Sequence, residues 1–256
     1  SFVKKFKKPI LFISFKEKRS GGRLRLNSLC GVNLGLHALI KSKFYSDFII
    51  YTNDEQSFSS EIFKFIKTNN NFTKKNYLKK INSKLVNKKI IEFKKPKLGL
   101  IGKRPEGFDT CDFNNEELKS KFNANVTKIK LQSLFNISSK IDKKKISVTK
   151  NNISKNLKNT NQVNQKELNK SISLFHGLER IQQTQNIDAF AVRCWPEMFT
   201  EYGCASCGPM AMMNENKISS ACEADVLGSL TCNILNQLNN KPALLVDIVD
   251  VDEKDN

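Results

Sequence analysis

The chain is poor in histidine and tryptophan, with two of the first and one of the second in 256 residues. His37 lies in "NLGLHALIK", among apolar neighbours on a predicted helix, and His176 lies beside Gly177 in a polar stretch. A lone histidine without a second ligand makes no site, so His37 reads as a structural residue and His176 as a surface one. No run approaches the roughly 18–20 apolar residues that cross a bilayer as a helix, which argues against a membrane span. The opening "SFVKKFKKPILFISF" joins basic residues to a short apolar run but lacks a small-residue cleavage site, and so reads as a strand rather than a signal peptide. The Gly/Pro loop "IGKRPEGFDTCDF" (101–113) lacks the GK[ST] element of a P-loop. "CASC" at 204–207 has no second CxxC to match it, and no internal repeat is visible.

Acids are also scarce, 25 against 43 bases, for a net charge of +18. A balance of this kind commonly marks a partner of nucleic acid or anionic membrane. Here the charge is unevenly spread: residues 1–180 carry a net +25, whereas residues 181–256 hold 4 basic and 11 acidic side chains. The basic part shows no arginine cluster, no zinc-finger spacing and no aromatic–basic motif of an RNA-binding sheet. Lys, Asn, Ile and Phe share A/T-rich codons, so base bias accounts for the excess, and a solvated surface is the expectation rather than a nucleic-acid interface.

Seven cysteines are present, an odd number without a secretory signal, which fits reduced thiols and a cytoplasmic setting. Cys204 and Cys207 have CxxC spacing, and Cys194 and Cys222 lie close enough in sequence to complete a four-thiolate zinc site. The same spacing serves a redox pair, or simply small thiols packed beneath a loop.

Short apolar runs alternate with helix-length segments. Strands are predicted at 9–15, 47–52, 97–102, 125–131, 188–194, 218–222 and 243–249, with helical stretches such as "NSLCGVNLGLHALIKSK", "NEELKSKF" and "VLGSLTCNILNQL" between them. Continuously apolar strands in such an alternation predict an α/β fold, with Rossmann-like parallel sheets and flanking helices. Residues 136–180 are rich in Lys, Asn and Ser, with no proline and no glycine before Gly177, which favours a polar helical insert over a mobile one. The expected organisation is a partial α/β domain at 1–93, a central α/β domain at 94–222 carrying that insert, and the start of an incomplete C-terminal domain at 223–256.

Two predicted strands run directly into acids: "DAFAVRC" into "WPEMFTEYG", and "ISSAC" into "EAD". Ligands of open parallel sheets sit outside the carboxyl ends of the strands, so Glu197, Glu201, Glu223 and Asp225 would share one edge. Clustered carboxylates repel unless a cation or a shared proton relieves them, and oxygen ligands suit hard metals and proton transfer. The plainer reading is that acids in a first helical turn favour the positive helix end by roughly 0.3–1 kcal/mol. Helical residues two apart point to different faces, whereas in extended chain they point the same way. Glu223 and Asp225 therefore meet one ion only if the helix starts after Asp225. Arg104, Asp109 and Asp112 occupy the loop where a substrate would sit, which is also an ordinary strand-to-helix turn.

The run from "DAFAVRCWPEMFTEYG" through "ISSACEADVLGSL" to "ALLVDIVD" resembles the L-fucose isomerase and L-arabinose isomerase superfamily, in its fucose-isomerase-like branch. The order is similar: a strand, "CWPE", a variable loop, a turn with Asn, "ACEAD" opening a helix, then an apolar strand. Upstream, "GGRLRLNSLCGVN" and "LGLIGKRPEGFDTCDFNNEELKSKFNANVTKI" resemble the same proteins in the same order, so the likeness covers most of the chain outside 53–95 and 136–180. It implies an aldose–ketose isomerase in which a Glu, an Asp and a His hold Mn²⁺, or Mg²⁺, against two sugar oxygens while carboxylates move a proton through an ene-diol. Asp225 matches the family aspartate, Glu223 the acid before it, and Glu197 the "PE" motif. The implied catalytic and metal residues are thus Glu197, Glu223 and Asp225, with Glu201 in reserve and Arg104 and Trp195 as substrate contacts. A small sugar substrate and a homo-oligomer are expected. Met210 falls where the family places a metal glutamate, and the family histidine lies in a further C-terminal segment, so a fragment without activity of its own is expected. Two alternatives stand beside this: a non-catalytic sugar-binding or regulatory module, which Met210 favours, and a thiol-metal or redox protein built on Cys204 and Cys207.

Overall fold

The computed structural model describes residues 10–16, 26–42, 46–51, 54–67 and 95–249. They fall into two compact units, one drawn from Ser1–Lys80 and Val246–Asn256, the other from Ile81–Leu245.

In the first unit, β1 (Ile10–Phe15) and β2 (Ser46–Tyr51) pair in parallel, from Ile10 opposite Ser46 to Phe15 opposite Tyr51. Helix α1 (Ser28–Lys41) connects them, and α2 (Glu55–Lys67) follows. Gly35 lets α1 approach β1 closely: a Cβ there would stand 2.6 Å from the Phe12 ring. His37 is half-buried on α1. Pro9 and Thr52, at the ends of the predicted strands, lie outside the described residues.

The second unit holds the α/β fold expected from the alternation. Its elements are β3 (Lys97–Ile101), α3 (Asn115–Phe122), β4 (Asn125–Ile129), α4 (Leu131–Ser138), α5 (Lys143–Asn156), α6 (Gln165–Gln185), β5 (Ala189–Val192), α7 (Cys207–Glu215), β6 (Ser219–Ala221) and α8 (Val226–Asn239). The four strands are parallel in the order β4-β3-β5-β6. Asparagine and aspartate set the helix starts: Asn114, Asp142 and Asn164 each accept backbone N–H groups of the first turn of α3, α5 and α6.

Period-2 alternation divides the sheet's side chains between two cores. Ile101, Ile129, Phe190 and Val192 meet Leu134, Leu174, Leu178, Met210 and Met213 on the α4–α6–α7 face. Leu98, Leu100, Ala189 and Ala191 meet Leu118, Val226 and Leu230 on the α3–α8 face. Gly99 leaves room for the Phe190 ring, since a Cβ would stand 2.8 Å from it.

The segment 136–180 is helical, as its composition favours, but only partly a solvated insert. Helix α5 buries no residue, whereas α6 sinks Ile172, Leu174, Phe175, Leu178 and Ile181 into the core. His176 is therefore not on the surface as expected. It is 4% exposed, between Thr149 Oγ1 at 2.8 Å and Glu179 Oε2 at 2.6 Å. The polar residues around it in sequence hid a helical face with apolar spacing.

A second correction concerns "ALLVDIV". Residues 242–249 carry no regular secondary structure, and Leu244, Val246 and Ile248 are exposed. A strand needs a neighbour for its N–H and C=O groups, and among the described residues none pairs with this segment. The outer edge of β6 is met instead by a side chain: the Asn214 amide accepts from Ser220 N at 2.8 Å and donates to Ser220 O at 3.1 Å.

Candidate functional site

After β3 the chain crosses to β4 on one side, and β5 then returns to the other side of β3. The sheet's direction of growth reverses between these two strands, the place where open parallel sheets bind ligands. The loops after β3, β5 and β6 leave the sheet at this carboxyl edge, where the rule places a crevice.

Arg193, just past β5, ties two of these loops together. Its Nη1 donates to the carbonyls of Lys103 at 2.9 Å and Arg104 at 3.0 Å, and its Nε donates to Glu197 Oε2 at 2.5 Å. That hydrogen bond holds the Glu197 carboxyl below the ordinary glutamate range. Arg104 pairs with Asp109 at 3.0 Å and Asp112 at 3.7 Å within the β3 loop. Trp195 is 40% exposed and packs its ring 5.7 Å from that of Phe199, which is 41% exposed. Glu201 is exposed on the adjoining π turn Met198–Tyr202.

Beyond β6, Glu223 and Ala224 both take φ of +56°, a sharp left-handed step between strand and helix. The step turns the Glu223 carboxylate inward, where Oε2 is buried without a hydrogen-bond partner. Burial, followed by the neighbouring Cys194, pushes its carboxyl up to about 7, while the Trp195 N–H donating to it and Arg193 pull the other way. Asp225 does something else. Helix α8 begins after it, at Val226, and its Oδ1 accepts from Gly228 N at 2.8 Å as an N-cap. Burial raises its carboxyl, offset by the backbone N–H groups of Gly228 and Leu227. Its charge in turn contributes, after burial, to holding Cys111 up at about 11.

The implied metal set of Glu197, Glu223 and Asp225 is not gathered at one point. Glu197 is held by Arg193, Asp225 caps a helix, and the group of potential ligands among the described residues is Cys194, Cys222 and Glu223, whose ligand atoms all lie within 4.8 Å of one another. Hard cations such as Mn²⁺ and Mg²⁺ take several oxygen ligands, whereas thiolates select softer ions. Two sulfurs and one carboxylate do not fit Mn²⁺. Met210, aligned with a family glutamate, buries its side chain in the core beside α6 and so gives no support to a vacant ligand position there.

The two cysteines of the CxxC spacing are placed differently. Cys204 turns into the core near Lys170 and Ser171. Cys207 faces the other way: its sulfur is hydrogen-bonded with Cys194 and Cys222, which pulls its thiol down to about 3. At Cys194 the contact with Cys207 raises the thiol, against the contact with Cys222, which lowers it; at Cys222 the contacts with Cys194 and Cys207 both raise it. The sequence carried a signal for this trio, because two predicted strands, "DAFAVRC" and "ISSAC", each end in cysteine. The acids directly after those two cysteines masked it.

No protein-family model matches the chain. It is similar to curated sulfoquinovose isomerases. That of Priestia aryabhattai is 30% identical over 253 residues, covering 98% of this chain and 52% of the relative. That of Alkalicoccus urumqiensis is 26% identical over 255 residues, covering 99% and 53%, and that of Clostridium sp. (strain MSTE9) is 26% identical over 256 residues. The chain thus spans about half the length of the curated relatives it matches. No helix among the described residues is long and apolar enough to cross a membrane.

Proposed function

We propose that this chain is part of a sugar isomerase that interconverts an aldose and a ketose, with sulfoquinovose or a closely related sulfonated hexose as substrate. The observation that carries the reaction class is the likeness to sulfoquinovose isomerases along 98% of the chain. Such a reaction takes a proton from C2 and returns it to C1, while the carbonyl and hydroxyl exchange places through an ene-diol. It is redox-neutral overall and needs one group that can both accept and release a proton.

Glu223 is that group in this reading. It stands at the rim of the crevice between β3 and β5, and it keeps one buried oxygen without a donor. Carboxylates in such positions serve as general bases, a role worth typically about 10²–10⁴ in rate. The exposed Trp195–Phe199 pair offers an apolar surface to a sugar face, and Arg104 would meet the sulfonate by exchanging its ion pairs with Asp109 and Asp112. Arg193 and Glu197 act through position, fixing the loops on which these groups ride.

The test is proton exchange. Protein carrying this chain is incubated with sulfoquinovose in D₂O, and NMR follows ketose formation and deuterium entry at C1 and C2. Glu223→Gln is expected to lower kcat by about a hundredfold or more. Absence of ketose with sulfoquinovose and with unsulfonated hexoses would overturn the reaction class. An undiminished rate in Glu223→Gln would overturn the residue assignment.

A further inference from the structure

We infer that Cys194, Cys207, Cys222 and Glu223 form a binding site for a thiophilic divalent cation of the Zn²⁺ class. Ligand atoms of Cys194, Cys222 and Glu223 already lie within 4.8 Å of one another, and the Cys207 sulfur stands near enough to both other thiols to shift its own titration. A tetrahedral ion with metal–sulfur bonds of about 2.3 Å needs sulfurs about 3.8 Å apart, so small side-chain adjustments close the site. Four places in the fold supply it: the loop two residues past β5, the first residue of α7, the residue just past β6 and the left-handed step that follows. It is therefore built by the sheet's topology rather than by one flexible loop.

The chemistry of the cluster asks for a cation. Three thiols and a carboxylate converge where Glu223 Oε2 is buried and receives no hydrogen bond. The nearby guanidinium, Arg193, is committed to Glu197 and to the carbonyls of Lys103 and Arg104. Burying a carboxylate oxygen without a partner is costly, and an ion bound at Oε2 removes that cost as the thiols release their protons. Sulfur ligands favour Zn²⁺ over Mn²⁺ or Mg²⁺. Cys207 is exposed, which opens a route for the ion.

Occupation has a consequence for the reaction. With an ion bound, Glu223 is a ligand and no longer exchanges protons, so Zn²⁺ inhibits. This consequence rests on the proton-transfer role proposed for Glu223; the ion site does not.

The reduced, metal-free protein is titrated with Co²⁺. The expected result is thiolate-to-cobalt charge transfer in the near ultraviolet with strong visible bands of tetrahedral cobalt, saturating at one ion per chain and displaced by Zn²⁺. Cys194→Ser and Cys222→Ser, checked for folding by circular dichroism, are expected to weaken binding at least about tenfold, and Cys204→Ser to leave it unchanged. Absence of the charge-transfer band, or equal binding by the Cys194 and Cys222 variants, overturns the site. Should those variants fail to fold, X-ray absorption of the zinc-loaded native protein decides: sulfurs at about 2.3 Å support the site, and a shell of oxygen and nitrogen alone overturns it. Zinc that binds with the sulfur signature yet leaves isomerisation unchanged overturns the role of Glu223 and not the ion site.

Discussion

Gly228 donates its backbone N–H to Asp225 Oδ1 at 2.8 Å, and a Cβ on Gly228 would stand 2.5 Å from Asp225 Oδ2. The two residues form one device. The carboxylate satisfies a first-turn donor of α8, and the missing side chain makes room for the carboxylate's second oxygen.

That pairing predicts a pattern among three variants. Asp225→Ala loses the cap and should cost about 1 kcal/mol of unfolding free energy. Asp225→Asn keeps an acceptor oxygen and should stay close to the native value. Gly228→Ala drives a methyl group against the carboxylate and against Leu245 Cδ2 at 2.9 Å, for a loss of about 1–3 kcal/mol. Urea unfolding measures all three. Asparagine as destabilising as alanine would show that the charge, not the cap, is what the fold uses.

Asn214 offers a second test. Its side-chain amide stands in for a neighbouring strand, meeting both the N–H and the C=O of Ser220 on the outer edge of β6. Asn214→Leu leaves both backbone groups buried without partners, at about 1–3 kcal/mol each. The expected outcome is a loss of several kcal/mol, with Asn214→Asp intermediate because it keeps only the acceptor. A leucine variant as stable as the native protein would mean that water or another donor reaches this edge.

The architecture was legible because strand and helix periods differ, and because the β3, β4, β5 and β6 runs are short and bounded. The site was legible only in part. Two strand ends drew attention to the loops after β5 and β6, yet which residue turns inward was set by the left-handed backbone at Glu223 and Ala224, which spacing does not reveal. Asp225 follows the capping rule, a local rule that sequence can apply. The Cys194–Cys207–Cys222 trio depends on three elements meeting in space, and CxxC spacing pointed to Cys204, whose side chain points into the core. "ALLVDIV" has the composition of a strand, but composition does not supply a partner strand.

The Arg193–Glu197 pair carries a pH dependence. The Glu197 carboxyl is lowered in the folded protein, chiefly by the hydrogen bond from Arg193. Its contribution to stability is therefore complete above the ordinary glutamate range and fades as pH falls through the depressed folded value. Unfolding free energies of the native protein and of Glu197→Gln should differ most near neutrality and converge in acid. A difference that grows on acidification would reverse the sign and remove the ion pair as the cause. Arg193→Lys should behave like a loss of both loop contacts, because an ammonium lacks the fork that reaches Glu197 and the two carbonyls together.

His176 ties α5 to α6, and the tie can be tested separately from global stability. Helix α5 buries no side chain of its own, and Thr149 reaches His176 Nε2 while Glu179 takes Nδ1. The further link is Lys145 to Glu179 at 3.4 Å, which is exposed and so worth little. Thr149→Val keeps the shape of the residue and removes its hydroxyl, leaving a buried ring nitrogen unpaired at about 1–3 kcal/mol. Because α6 is anchored by Leu174, Phe175 and Leu178, the loss should appear as local opening. Hydrogen exchange is the measurement: amides of 143–156 should exchange roughly tenfold or more faster in the variant, by the conversion of 1.4 kcal/mol to a factor of ten, while those of 172–181 keep their protection. Equal acceleration in both helices would mean that the hydroxyl supports the whole core rather than the docking of α5.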